Sequence, residues 1–442
     1  MKIFNEVESN VRSYCRSFPD IFTKAKGSKL YAESGKEYID FFAGAGALNY
    51  GHNNDFIKKR IVSYIASDGV MHALDMYTQA KKDFLITFNE QILKPRKLDY
   101  KVQFAGPTGT NAVEAALKLA RKVKNRTGIF SFMGAFHGMS LGSLAATSNE
   151  ASRKGAGIPL NNVTFIPYYN SLPNELDSID YLANILADNH SGIDKPAAII
   201  LETIQAEGGI NVAPVEWLKR LADLCQREDI LLICDDIQVG CDRSGTYFSF
   251  ERAGIVPDMV VLSKSIGGYG FPFSLLLLKP ELDIWQPGEH NGTFRGNQLA
   301  FVAGQAALEY RSRTKLSNEV ELKSRLLETF LKEEIAPLHQ QIEIRGLGMI
   351  WGIDLSKCGD EKLIEDVAKR CFELGLVIER AGRGDTVLKI LPPLIIHHDE
   401  LLQGCQIIKQ AIQEVFGTKE RSTAQLRDAL QYQHLDAGGE KY

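Results

Sequence analysis

A chain of 442 residues, 44% hydrophobic and 24% charged, is long enough for two or three domains and for a large buried core. Its net charge of −4, with no block of Lys or Arg, argues against nucleic acid as a partner. The seven cysteines are scattered without CxxC spacing, which speaks against a disulfide framework or a zinc site and for a reducing cytoplasm; no apolar run approaches the roughly 20 residues of a membrane span.

Residues 1–58 read as an irregular arm followed by short strands, with a hairpin over Lys29–Phe42 around a Ser-Gly turn. The glycine-rich stretch Ala43–His52 follows, either a tight loop or backbone held close to something. Residues 59–98 have helical apolar spacing. A short strand at Val102–Phe104 leads through the turn Gly106-Pro-Thr-Gly-Thr-Asn111 into a helix over Ala112–Val123. Free amides at such a helix start make a ready anion site; the plainer alternative is N-capping by Thr110 or Asn111. Strands at 128–132, 163–166, 197–201, 230–234, 260–262 and 273–278 alternate with helices, one of them carrying Trp217, Leu218, Leu221, Leu224 and Cys225 on a single face. Alternation of this kind means an α/β fold with a mostly parallel sheet. Residues 314–340 read as a charged helical bridge to a second unit. That unit holds Gly346–Asp354, a helix near 360–374, the run Val387–Ile396 and a last helix over about 398–416. A polar tail from Gly417 reads as a helix fragment with a disordered end.

The chemistry gathers at the carboxyl ends of the strands, where open α/β sheets bind ligands. Val260–Leu262 runs into Ser263 and Lys264, then Gly267 and Gly268; burial there would lower the lysine pKa and free a nucleophilic amine. Ile230–Cys234 ends in Asp235 and Asp236. The glycine–threonine turn carries Gly109 and Thr110, and Gly134-Ala-Phe-His-Gly138 supplies Phe136. An acid, a lysine, an anion turn and an aromatic suit a phosphorylated aromatic aldehyde with a positive ring nitrogen, which describes pyridoxal 5'-phosphate.

The stretches Thr108–Arg121, Phe136–Gly138, Glu202–Gly209, Asp235–Gln238, Ser263–Ser265, Gly292–Phe294 and Pro392–Leu394, in this order and spacing, resemble the class III aminotransferases of fold type I across about residues 20–416. Within the class, Val11–Pro19, Phe41–His52, His72–Asp75 and Gly106–Asn111 most resemble the diaminobutyrate branch found in ectoine biosynthesis. The resemblance implies a large pyridoxal-phosphate domain over 59–313 and a smaller α+β domain built from both chain ends, 1–58 and 314–416. It implies that Lys264 holds the cofactor and shuttles the proton, that Asp235 pairs with the ring nitrogen, and that Gln238 bonds the phenolic oxygen. Phe136 would stack on the ring beside His137, and Gly109 and Thr110 would hold the phosphate. Thr293 would reach the phosphate of a neighbouring subunit, so a homodimer or larger assembly is expected. Glu207 stands at the family's gating glutamate.

Two positions depart from the family pattern. Met139 stands where ornithine- and aminobutyrate-type members carry an arginine, and Lys389 replaces the usual arginine partner of the gate. Arg295, beside Thr293, is then the candidate cation for the distal carboxylate of diaminobutyrate, with Lys389 for the α-carboxylate of glutamate, which lies close to the reacting amine. The implied activity is cytoplasmic transfer of an amino group from L-glutamate to L-aspartate 4-semialdehyde. The alternatives are another ω-amine donor, an aminomutase or racemase on the same scaffold, and, remotely, a cofactor-binding sensor.

Overall fold

The computed structural model describes residues 2–169, 171, 177–359 and 361–436, with side chains through residue 417. Its centre is a seven-stranded sheet of β1 (Lys101–Gly106), β2 (Ile129–Phe132), β3 (Val163–Ile166), β4 (Ala198–Leu201), β5 (Leu231–Asp235), β6 (Met259–Leu262) and β7 (Ser274–Leu278). The spatial order is β1–β7–β6–β5–β4–β2–β3. Every residue of β2, β4, β5, β6 and β7 is buried, as continuous apolar runs demand of strands covered on both faces. The sheet is parallel except for β7, which runs antiparallel to both neighbours. The carboxyl ends of the six parallel strands therefore share one edge.

Helices cover this sheet where the apolar spacing places them. Val215–Arg227 buries Trp217, Leu218, Leu221, Leu224 and Cys225. Gln298–Thr314 starts behind Asn297, whose side chain accepts the Ala300 N–H at 3.0 Å. Gly109–Lys124 opens at Thr108 rather than at Thr110 or Asn111. Thr108 takes the extended conformation of a cap, and its N–H and hydroxyl both donate to Asn111 Oδ1 at 3.3 and 3.0 Å. Thr110 is thus left inside the first helical turn with its hydroxyl free for other partners.

The chain ends meet in a second sheet. Phe22–Lys26, Lys29–Ala32 and Glu37–Asp40 form an antiparallel meander, and Leu376–Val377 adds parallel to the third strand. A third, antiparallel sheet orders Glu343–Leu347, Ile350–Asp354, Val387–Ile390 and Glu379–Ala381. The run expected over Val387–Ile396 stops pairing at Ile390, because Pro392 and Pro393 have no N–H to offer a ladder. The last helix runs from His398 to Asp436 without a break at Gly417; residues 437–442, read above as a disordered end, lie outside the described residues.

Candidate active site

Lys264 follows β6 by one residue and has φ 51°, a left-handed conformation uncommon for a residue with a side chain. It is half-buried, and burial lowers its ammonium pKa; Glu207, Glu379 and Asp235 pull it upward, and Lys389 pushes it down further. Unlike Lys389, Lys264 joins no ion pair among the described residues.

Asp235, the last residue of β5, is 4% exposed. One carboxylate oxygen accepts the Ile237 N–H at 3.1 Å, and the other lies 2.8 Å from His137 Nδ1. His137 is fully buried. Burial disfavours its imidazolium, but the hydrogen bond to Asp235 and the charges of Asp235 and Glu202 prevail and raise its pKa. Its Nε2 is a buried nitrogen without a hydrogen-bond partner among the described residues. Asp236 faces the other way and binds the Ser249 N–H at 2.8 Å and the Ser249 hydroxyl. The adjacent aspartates thus part, Asp235 to His137 and Asp236 to Ser249. Glu202, at the end of β4, accepts the N–H groups of Phe136 at 2.9 Å and Ala206 at 3.2 Å. Burial first, and Asp235 second among the upward pulls, lift its pKa to about 7.

The helix start after β1 meets the loop after β2. Thr110 Oγ1 lies 2.6 Å from Ser140 Oγ and 2.5 Å from Ser143 Oγ. Gly138, at φ 129°, packs so close that a Cβ there would sit 2.5 Å from Thr110 Oγ1. A Cβ on Gly109 would meet Ile237 at 2.7 Å. Glu114 already accepts the Ser140 hydroxyl and the Gly142 and Ser143 amides, at 2.8, 2.9 and 3.0 Å. The amides of Gly109 and Thr110 are the donors that remain at this end of the helix.

A third group surrounds Lys389, which is fully buried. Its Nζ donates to Glu207 Oε1 at 2.6 Å and lies 2.8 Å from Glu379 Oε2. Glu379 and Lys389 are opposed residues of neighbouring antiparallel strands. Gln238 Nε2 donates to the Ala45 carbonyl at 2.9 Å and to Glu207 Oε1 at 3.1 Å. The glycine-rich loop is packed onto this residue: a Cβ on Gly46, at φ 85°, would lie 3.3 Å from Gln238 Cγ. Burial pushes the Glu207 pKa up, but the charges of Lys389 and Lys264 and the bonds from Lys389 and Gln238 hold it down at about 2. The same two carboxylates keep Lys389 charged against the cost of its burial. A cleft of about 1630 Å³ opens here, lined among others by Tyr14, Phe136, Met139, Glu207 and Glu379.

Thr293 and Arg295 lie elsewhere, on the turn before Gln298–Thr314, and line no part of this cleft. Thr293 is exposed and Phe294 is 71% exposed, while Arg295 Nη1 is buried without a hydrogen-bond partner among the described residues. Residues that sequence reasoning did not bring to the site are Tyr14, Glu202 and Glu379. Glu379 and Glu202 carried the signal used for Asp235, a carboxylate closing a buried apolar run, here Leu376–Ile378 and Ala198–Leu201.

Residues 13–412 match the family described as aminotransferase class-III. A protein of Halalkalibacterium halodurans named diaminobutyrate–2-oxoglutarate transaminase is 53% identical over 95% of this chain and 98% of its own length. One of that name from Streptomyces coelicolor is 53% identical over 94% and 98%. The ornithine aminotransferase of Toxoplasma gondii, crystallised with pyridoxal phosphate partially occupying its active site, superposes with a TM-score of 0.83 at 25% identity, covering 95% of this chain and 94% of that one. An aminotransferase of Bacillus anthracis, at 23% identity and a TM-score of 0.83, shares the fold. With residues 13–412 matched by the family and nearly its whole length aligned to such relatives, the chain belongs to the class III aminotransferases.

Proposed function

We propose that the chain is a pyridoxal-phosphate-dependent diaminobutyrate–2-oxoglutarate transaminase. It moves the amino group of L-glutamate onto L-aspartate 4-semialdehyde, reversibly, giving L-2,4-diaminobutyrate and 2-oxoglutarate. The observation that carries the reading is a lysine without an ion pair and a buried aspartate at neighbouring strand ends, in a chain 53% identical over nearly its whole length to transaminases of that name.

The residues present fit the cofactor. A close-packed glycine–hydroxyl corner with free helix amides suits a phosphate, and a buried carboxylate held by His137 suits a protonated ring nitrogen. When bound, the cofactor supplies an electron sink that acidifies the C–H beside the substrate amine. Lys264 would hold it through its amine and would carry a proton to and from the amine-bearing carbon of the substrate. Asp235 keeps the ring nitrogen protonated, and His137 fixes the carboxylate. Gly109 and Thr110 donate to the phosphate, and Phe136 covers one ring face. Both Gln238 N–H groups are engaged by Ala45 and Glu207, so its bond to the phenolic oxygen forms as the Glu207 contact is released. Lys389, freed from Glu207, meets the α-carboxylate of glutamate, and Arg295 serves the distal carboxylate of diaminobutyrate from the partner copy.

Assembly of at least a dimer is supported by an exposed apolar patch. Val70, Met71, Leu74, Met76 and Tyr77 adjoin Phe294, whose ring lies 5.3 Å from that of His72. No helix among the described residues is long and apolar enough to cross a membrane. The test is glutamate formation by the purified holoenzyme with 2-oxoglutarate and a panel of diaminobutyrate, ornithine and 4-aminobutyrate. Diaminobutyrate should have the highest kcat/KM; a faster panel member would displace the substrate assignment.

A further inference from the structure

Beside the gate stands a second carboxylate, Glu379. Lys389 is the one cation within 4 Å of either Glu207 or Glu379 among the described residues. It lies behind them: Lys389 does not line the cleft, whereas Glu207, Glu379 and Tyr14 do. Of the groups gathered around Lys389, two carboxylates and a phenol face the cleft. Glu379 Oε2 is 2.8 Å from Lys389 Nζ but makes no aligned hydrogen bond among the described residues, although its side chain is only 11% exposed. A carboxylate has about four acceptor sites, and Lys389 fills one side of this one, so the group can take a further charged donor. Within 4 Å the two acids share one ammonium, and the other positive charge acting on both is that of Lys264, the reacting amine.

Diaminobutyrate and 4-aminobutyrate share the reacting 4-amine and the carboxylate. They differ by one group, the ammonium on C2. We propose, resting on the transaminase reading above, that Glu379 is the specificity residue that receives the α-ammonium of diaminobutyrate, with the Tyr14 hydroxyl beside it, while the 4-amine is presented to Lys264. Glu379 and Tyr14 both line the cleft, and the charge of Glu379 acts on Lys264 as well. Selection here is a matter of charge count. A ligand with a second ammonium completes the set, and a ligand without one leaves the acid undercompensated.

The experiment compares kcat/KM for diaminobutyrate and for 4-aminobutyrate in wild-type, Glu379→Gln and Glu379→Asp holoenzymes. Glu379→Gln should lower the diaminobutyrate value about tenfold or more, the effect of one lost charge-assisted hydrogen bond, and leave 4-aminobutyrate within about twofold. Glu379→Asp should recover part of the ratio. The KM for 2-oxoglutarate should stay level or fall, because a negative charge facing a dicarboxylate has gone. Activity on 4-aminobutyrate certifies that the variants are folded. Calorimetric titration of Lys264→Ala and of Lys264→Ala/Glu379→Gln with diaminobutyrate reads the same loss without turnover. An unchanged ratio, or an equal loss on both amines, in a wild-type background active on diaminobutyrate overturns this assignment and leaves the transaminase reading standing. A wild-type protein inert toward diaminobutyrate overturns both.

Discussion

Lys264 and Asp235 sit on adjacent strands, yet their environments differ. Burial lowers the lysine pKa and so favours a free amine, while Asp235 is buried against a histidine whose pKa is raised. On this basis Lys264→Ala should abolish turnover. In the wild-type holoenzyme, borohydride should fix the cofactor covalently at Lys264 and at no other lysine, read by peptide mapping. Asp235→Asn should keep that labelling and lose about 10²–10³ in kcat, the scale of removing one preorganised electrostatic group; a kcat near wild type would refute its role. Both residues were legible as charges closing apolar runs of the length of a buried strand. Glu379 was not singled out. Its partner Lys389 is ten positions on, and what makes the two neighbours is an antiparallel register that residue order does not display.

At the scale of elements, β5 ends in Asp235, and Asp236 follows it with a different set of partners. Asp236 ties β5 to the turn at Ser249. Burial raises its pKa from an ordinary carboxyl to about 7, against the opposing pull of the Ser249 bonds. A folded-state pKa above the unfolded value of about 3.8 means that the stability tied to the protonated group is present below pH ~4 and lost as pH rises through about 7. Asp236→Asn keeps the oxygen that accepts the Ser249 amide and donates to its hydroxyl instead. The variant should match wild type near pH 4 and exceed it by pH 8, by up to the order of 3–4 kcal/mol. Urea unfolding across that range checks the slope, and a gap that narrows as pH rises would contradict it. The capping of Gly109–Lys124 teaches a related lesson. Thr108, Thr110 and Asn111 are all acceptable caps by type, and the choice falls to Thr108 because Gly138, Ser140 and Ser143 engage Thr110.

At the scale of the molecule, the alternation of strands and helices made the parallel sheet legible, since buried apolar runs have no other simple home. Strand direction was less accessible. β7 is as fully buried as its neighbour β6, and what sets it apart is the short connection that turns it back. Pairing of the two chain ends, through Glu37–Asp40 and Leu376–Val377, spans more than 300 residues and leaves no local signal. The exposed turn at Thr293 extends the argument to a second copy. If Thr293 completes the phosphate site of its partner, mixing inactive Lys264→Ala with an inactive Thr293 variant should restore part of the activity. Hybrid dimers then contain one intact site, whereas a fully active monomer on size exclusion would exclude this arrangement. The measurement that bears most directly on the whole account follows the nitrogen. Holoenzyme supplied with 2-oxoglutarate and diaminobutyrate carrying ¹⁵N at the 4-amine should deliver the label to glutamate, and substrate labelled at the 2-amine should deliver none. Label arriving from the 2-amine, or from neither position, would contradict the account.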